Sequence, residues 1–111
     1  MDFEEAEKKA LRLRDERSWT AFHNPKDLAI SISLEAAELL ETFQWSGADT
    51  HVESKREHMV EELADVIIYG IYLADCLDID LPQAVNDKLD ANAQKYPVAL
   101  TRGNARKYTE L

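Results

Sequence analysis

A single cysteine, three glycines and three prolines in 111 residues leave little material for staples or sharp turns. Cys76 has no partner for an internal disulfide, and one cysteine with three histidines falls short of a structural zinc site. A reducing, cytoplasmic setting is the expectation. Basic residues are also scarce. Thirteen Lys and Arg stand against 22 Asp and Glu, a formal charge of −9. Such a balance repels nucleic acid backbones and anionic lipid surfaces, so neither a nucleic acid polymer nor a membrane is an expected partner. Long apolar stretches are missing too. Val66 to Ala74 is the longest near-apolar run, well under the ~20 residues that cross a bilayer. The amino-terminal MDFEEAEKK carries no basic and apolar targeting pattern.

What is present is helical periodicity. Phe3, Ala6, Ala10 and Leu13 mark one stripe of a helix over roughly residues 2–18. Asn24 and Pro25 read as a cap and a first-turn proline, opening a second helix to about Phe43, before a Ser46-Gly47-Ala48-Asp49 turn. A third helix is predicted from the low fifties to about Leu77. A fourth starts at Asp80 and Pro82 and ends near Tyr96, because Pro97 disfavours helix in the residue before it. Nothing reads as a strand. The expected fold is all-α, of four-helix-bundle type, with residues 1–97 as one helical domain and 98–111 as a basic tail without regular structure unless a ligand or neighbour orders it. Helix three is apolar in every direction over VIIYGIYL, and four helices cannot enclose it. A homo-oligomer, dimer or tetramer, is the economical solution.

Chemistry concentrates in two acidic pairs. Glu35 and Glu38 on helix two, and Glu62 and Asp65 on helix three, are each three residues apart, so each pair shares one helix face. Single pairs of this kind usually sit on solvated faces. Two pairs on successive helices, among apolar neighbours, point inward instead, where unpaired charge is costly. No Lys follows Lys26 in helix two and no Arg follows Arg56 in helix three, so a divalent cation is the natural counter-charge. An all-oxygen set suits Mg2+, or Mn2+, better than zinc or copper. A ferritin-like di-metal redox site would need Glu followed by His at i+3, which is absent. A non-catalytic oligomerisation module with an acidic docking face stays open on these grounds. His51 and His58 read as surface residues, and Cys76 as a small buried filler.

The acidic pairs carry a resemblance. Glu35-Ala-Ala-Glu38 with Glu62-Leu-Ala-Asp65 resembles the ExxE…ExxD signature of the MazG-like all-α nucleoside triphosphate pyrophosphohydrolases. From Arg14 to Pro97 the chain is similar to their dCTP pyrophosphatase branch, through Trp19…Phe22-His23-Asn24-Pro25, Phe43-Gln44-Trp45, Tyr69, Asp80-Leu81-Pro82 and Lys88…Asn92…Tyr96-Pro97. Leu34 and Ala37 depart from it, standing where many relatives have glycine or a further acid. The resemblance implies a Mg2+-dependent hydrolase splitting (deoxy)nucleoside triphosphates, dCTP-like ones first, into monophosphate and pyrophosphate, in a nucleotide-pool housecleaning role. It implies Glu35, Glu38, Glu62 and Asp65 as metal ligands and catalytic groups. It also implies Trp19, His23, Trp45 and Tyr69 around the base. On residues alone the two tryptophans read rather as core or interface anchors. Lys88, Asn92 and Tyr96 recur at i, i+4 and i+8, a stripe able to meet phosphates or sugar.

Overall fold

The computed structural model describes residues 1–110 and contains no strand among them. Four long helices dominate: α1 (Phe3–Glu16), α2 (Pro25–Glu41), α3 (Arg56–Cys76) and α4 (Leu81–Lys95). A single-turn α5 (Val98–Thr101) follows, and 3-10 turns lie at Trp19–Phe22, Glu53–Lys55 and Tyr108–Glu110. Met1–Asp78 form one compact unit and the residues from Ile79 onward a second.

The helices start where local chemistry supplies acceptors for their free N–H groups. Asp2 and Glu5 form a reciprocal capping box on α1. The Asn24 side chain accepts from the Asp27 N–H at 2.9 Å, with Pro25 fitting the first turn of α2. Asp80 accepts from the Gln83 N–H at 3.1 Å on α4. No side chain caps α3. Upstream of it, Asp49 accepts from the N–H groups of His51 and Val52, both at 3.0 Å, and so shapes the turn that feeds the helix.

In the first unit α3 packs chiefly along α2 and also against α1. Leu28 of α2, Ile71, Tyr72 and Ala74 of α3 and Val52 of the connecting loop are the buried apolar residues. This core is thin. Within the single chain α3 keeps Val60, Leu63 and Ile67 exposed along one face, while Val66, Ile68 and Tyr69 are half-buried. The chain by itself therefore leaves part of its most apolar helix uncovered.

Two local expectations are corrected. Cys76 is exposed, not buried, because it ends α3 where the chain turns away through Asp78 at φ +56. The tail is not devoid of structure: Pro97 fixes the entry to α5, whose Thr101 hydroxyl donates to the Pro97 carbonyl at 2.7 Å. Farther along, Tyr108 stands edge-on to Tyr96 with Lys95 over its ring. These contacts belong to the second unit.

The Asn24 cap bears directly on how α2 is held. Asn24→Ala should lower the unfolding free energy by about 1 kcal/mol, read as a reduced urea midpoint at constant slope.

Candidate active site

Successive turns of two facing helices build an acidic centre. Glu35, from the middle of α2, meets Glu62 and Asp65, one turn apart on α3, and one carboxylate oxygen from each lies within 4.8 Å of the others. All three residues are half-buried. The fourth expected acid, Glu38, is exposed at the edge of this group, close enough to raise the Glu35 and Glu62 carboxyls. Helical spacing explains the convergence, since each i,i+3 pair presents two carboxyls on the face that meets the other helix.

The electrostatics follow from this crowding. Burial, hydrogen bonding with Glu38 and repulsion from Glu38, Asp65 and Glu62 push the Glu35 carboxyl up to about 7. The Glu62 carboxyl is also raised, by burial first and then by Glu38, with His58 acting the other way. Glu35 Oε2 and Glu62 Oε2 are buried and have no hydrogen-bond partner. Two orphaned carboxyl oxygens beside a third carboxylate fit a hard divalent cation in donor type and charge, and among the described residues no Lys or Arg is paired with any of the four acids. His58 is the cationic candidate nearest to them, with Nδ1 3.8 Å from Glu62 Oε1. His58 is exposed, as expected of a surface residue, and its i,i+4 spacing to Glu62 brings its ring to that acid.

Beside the acids, α1 and α3 enclose an open, largely apolar groove of about 590 Å³. Ala6, Ala10, Leu13 and Trp19 form one wall, and Asp65, Ile68, Tyr69 and Tyr72 the other. Of the aromatic residues expected around a base, Trp19 and Tyr69 thus line the same groove as one of the acids. His23 lies behind it, with its ring centroid 5.2 Å from that of Tyr72. Its Nδ1 is buried without a partner, and burial and the nearby Arg14 charge lower its proton affinity. Trp45 does not line the groove. It sits in the α2–α3 loop, 92% exposed, at φ +67. Lys88, Asn92 and Tyr96 lie in the second unit, the first exposed and Asn92 half-buried along α4, with Tyr96 as its C-cap.

Sequence reading also missed Arg14, which is buried at the α1–α3 contact. It stands four residues after Ala10, on the apolar stripe of α1, which was the signal that it faces inward.

The raised Glu35 carboxyl has a signed consequence for the metal-free protein. Folded protein binds more protons than unfolded protein between the ordinary carboxyl range and about pH 7, so stability falls as pH rises through that window. Denaturation at about pH 5 and about pH 8 without metal should show the chain losing stability, and Glu35→Gln should flatten that slope. An equal slope in the variant would contradict the assignment.

Comparison with known proteins extends this picture. A profile of the MazG-like family matches residues 30–111. Similar curated proteins include dCTP pyrophosphatase 1 of Mus musculus, 46% identical over 101 residues, covering 86% of this chain and 59% of the relative. Its counterpart from Homo sapiens is 43% identical over 101 residues, with the same coverage of 86% and 59%. The chain thus spans about three-fifths of the length of the curated relatives it matches. Among solved structures, a pyrophosphatase from Archaeoglobus fulgidus DSM 4304 is similar at a TM-score of 0.77 and 42% identity, over 85% of this chain and 91% of that one. A match running from within α2 to the last residue, seconded by a solved relative of the same helical fold, settles the kinship: the chain belongs to the MazG-like family.

Proposed function

We propose that the protein is a nucleoside triphosphate pyrophosphohydrolase, acting on deoxynucleoside triphosphates with a dCTP-like pyrimidine preferred, in a housecleaning role. The observation that carries this reading is the pair of buried, unpartnered oxygens on Glu35 and Glu62, set beside Asp65 at the mouth of an apolar groove. The names of the similar proteins, dCTP pyrophosphatase 1 and a pyrophosphatase, support the reaction class and the substrate.

Glu35, Glu38, Glu62 and Asp65 would hold Mg2+, with Mn2+ as a substitute. A divalent cation in that place supplies positive charge against the triphosphate and favours attack of water at the α-phosphorus. The side chains do the rest. Glu35 keeps a proton at neutral pH only while its negative neighbours are uncompensated, and gives it up when counter-charge arrives. Trp19 and Tyr69 offer ring faces and edges on which a base stacks, a contribution of roughly 1 to 3 kcal/mol per ring. The alanines of α1 leave room for it and carry no group that competes for water. Trp45, with its exposed ring, and the Lys88, Asn92 and Tyr96 stripe of α4 are the further groups assigned to base, sugar and phosphates. Water is the nucleophile, the α–β phosphoanhydride breaks, and pyrophosphate leaves with no covalent enzyme intermediate.

The assembly belongs to the same proposal. Val60, Leu63 and Ile67, at 55%, 54% and 43% exposure, form an uncovered apolar face on α3. Its burial against further copies of the chain, as a dimer or tetramer, would complete the core. The lone Cys76 suits a cytoplasmic setting.

Incubation with single deoxynucleoside triphosphates and Mg2+ should release monophosphate and pyrophosphate. Orthophosphate as first product would contradict attack at the α-phosphorus. Glu35→Gln and Glu38→Gln should each reduce turnover by roughly 100-fold or more, the scale reached even by outer partners of a metal site, with the oligomer intact by light scattering. A passive acidic docking module would show no turnover to lose and would gain thermal stability from Glu38→Gln.

A further inference from the structure

The contact between the ends of α1 and α3 contains more than helix packing requires. Arg14 is 7% exposed. Its Nε donates to Asp15 Oδ1 at 2.9 Å and its Nη1 to Asp75 Oδ2 at 2.7 Å. The same guanidinium lies 5.8 Å from the centroid of the Tyr72 ring. Tyr72 is buried as well, and its hydroxyl donates to the Ala10 carbonyl of α1 at 3.1 Å. From that fixed position its ring meets Tyr69 edge-on at 6.1 Å and His23 at 5.2 Å. A buried guanidinium gives weak net stability, because pairing only offsets its lost hydration. An apolar residue at position 14 would pack the helices as well. What the arginine adds is direction: a planar fork fixes two carboxylates while its face covers a ring.

Tyr69 and Tyr72 line the groove, whereas Arg14 does not. Arg14 therefore bears on the groove through Tyr72, and through Tyr72 on Tyr69, one turn beyond Asp65.

We propose that Arg14 is a positioning residue for nucleotide binding: with Asp75 as counter-ion it locks the Tyr72 ring, and Tyr72 in turn sets the orientation of the Tyr69 ring against the base and of the His23 ring behind the groove. The proposal rests on the pyrophosphohydrolase reading above. Because the clamp does not touch the acidic cluster, it acts on affinity and leaves the rate of the bound complex alone.

The test uses the full chain with Arg14→Met, which keeps a long apolar stem, and Arg14→Lys, which keeps the charge but loses the fork. With Mg2+ and the best deoxynucleoside triphosphate, Arg14→Met should raise KM by about tenfold with kcat within about twofold of the parent. Arg14→Lys should recover part of that loss. Arg14→Met placed on a Tyr69→Ala background should add nothing further to KM. A second reading needs neither metal nor turnover: in spectra of protein labelled at tyrosine and histidine, the Tyr69 and His23 ring resonances should shift in Arg14→Met. Should that variant fail to fold, Asp75→Asn removes the counter-ion and should move the same resonances and KM in the same direction. Unmoved resonances with unchanged KM, or a fall in kcat at constant KM, would overturn the proposal. A parent that neither binds nor splits any nucleotide would instead overturn the functional reading, and the resonance shifts would still decide whether Arg14 orients the two rings.

Discussion

Carboxylates repel one another, and this chain brings four of them to one place on two helices. That constraint organises the rest of the first unit. The gathering requires α2 and α3 to lie face to face with Glu35 opposite Glu62 and Asp65. Leu28, Ile71 and Ala74 supply the apolar contact that keeps them there. It also requires a counter-charge, which the described residues do not provide beyond a histidine 3.8 Å away. Without one, the proton is the substitute, and the upward displacement of Glu35 to about 7 expresses that substitution. Proton and cation compete for the same oxygens, so folding, protonation and metal binding are linked through one small set of atoms.

The second requirement is a wall for the substrate. α1 makes few contacts with α2 and leans on α3, leaving a groove along most of its length. Two kinds of contact hold this arrangement at the α1 end: the Arg14 to Asp75 ion pair and the Tyr72 hydrogen bond to Ala10. Both are directional, in contrast to the small alanines that face the groove. A chain with so few buried apolar side chains has little dispersion energy with which to fix orientation, and directional polar contacts take over that task. The loop after α2 contrasts with this. It carries Trp45 and Val52 in left-handed backbone conformations that side chains other than glycine adopt at a cost. Val52 is buried and its packing offsets the strain, whereas the Trp45 ring is open to solvent.

Much of this was legible in the sequence, and the limits of legibility were physical. Helix starts at Asn24 and Asp80 were readable because capping is local chemistry. The approach of Glu35 to Glu62 and Asp65 was readable because i,i+3 spacing on two apolar helices leaves few other arrangements. Cys76 misled because a cysteine in an apolar helix reads as filler, while burial depends on where the neighbouring helices end. The structure of the tail was missed because α5 depends on Thr101 turning back to Pro97, and Tyr108 on finding Lys95 and Tyr96, contacts that composition does not display. Arg14 was passed over for a related reason. Its place on the apolar stripe points inward, but its two carboxylates and the ring beside it come from the fold.

The central claim is that counter-charge replaces a proton on these carboxyls. Calorimetric titration of the metal-free protein with Mg2+ near pH 7, repeated in buffers of different ionisation enthalpy, tests it most directly. Saturable binding should release protons, because the Glu35 carboxyl, displaced to about 7, is partly protonated there. The release should fall in Glu35→Gln. Absence of binding, or binding with no proton released from the parent protein, would contradict the account.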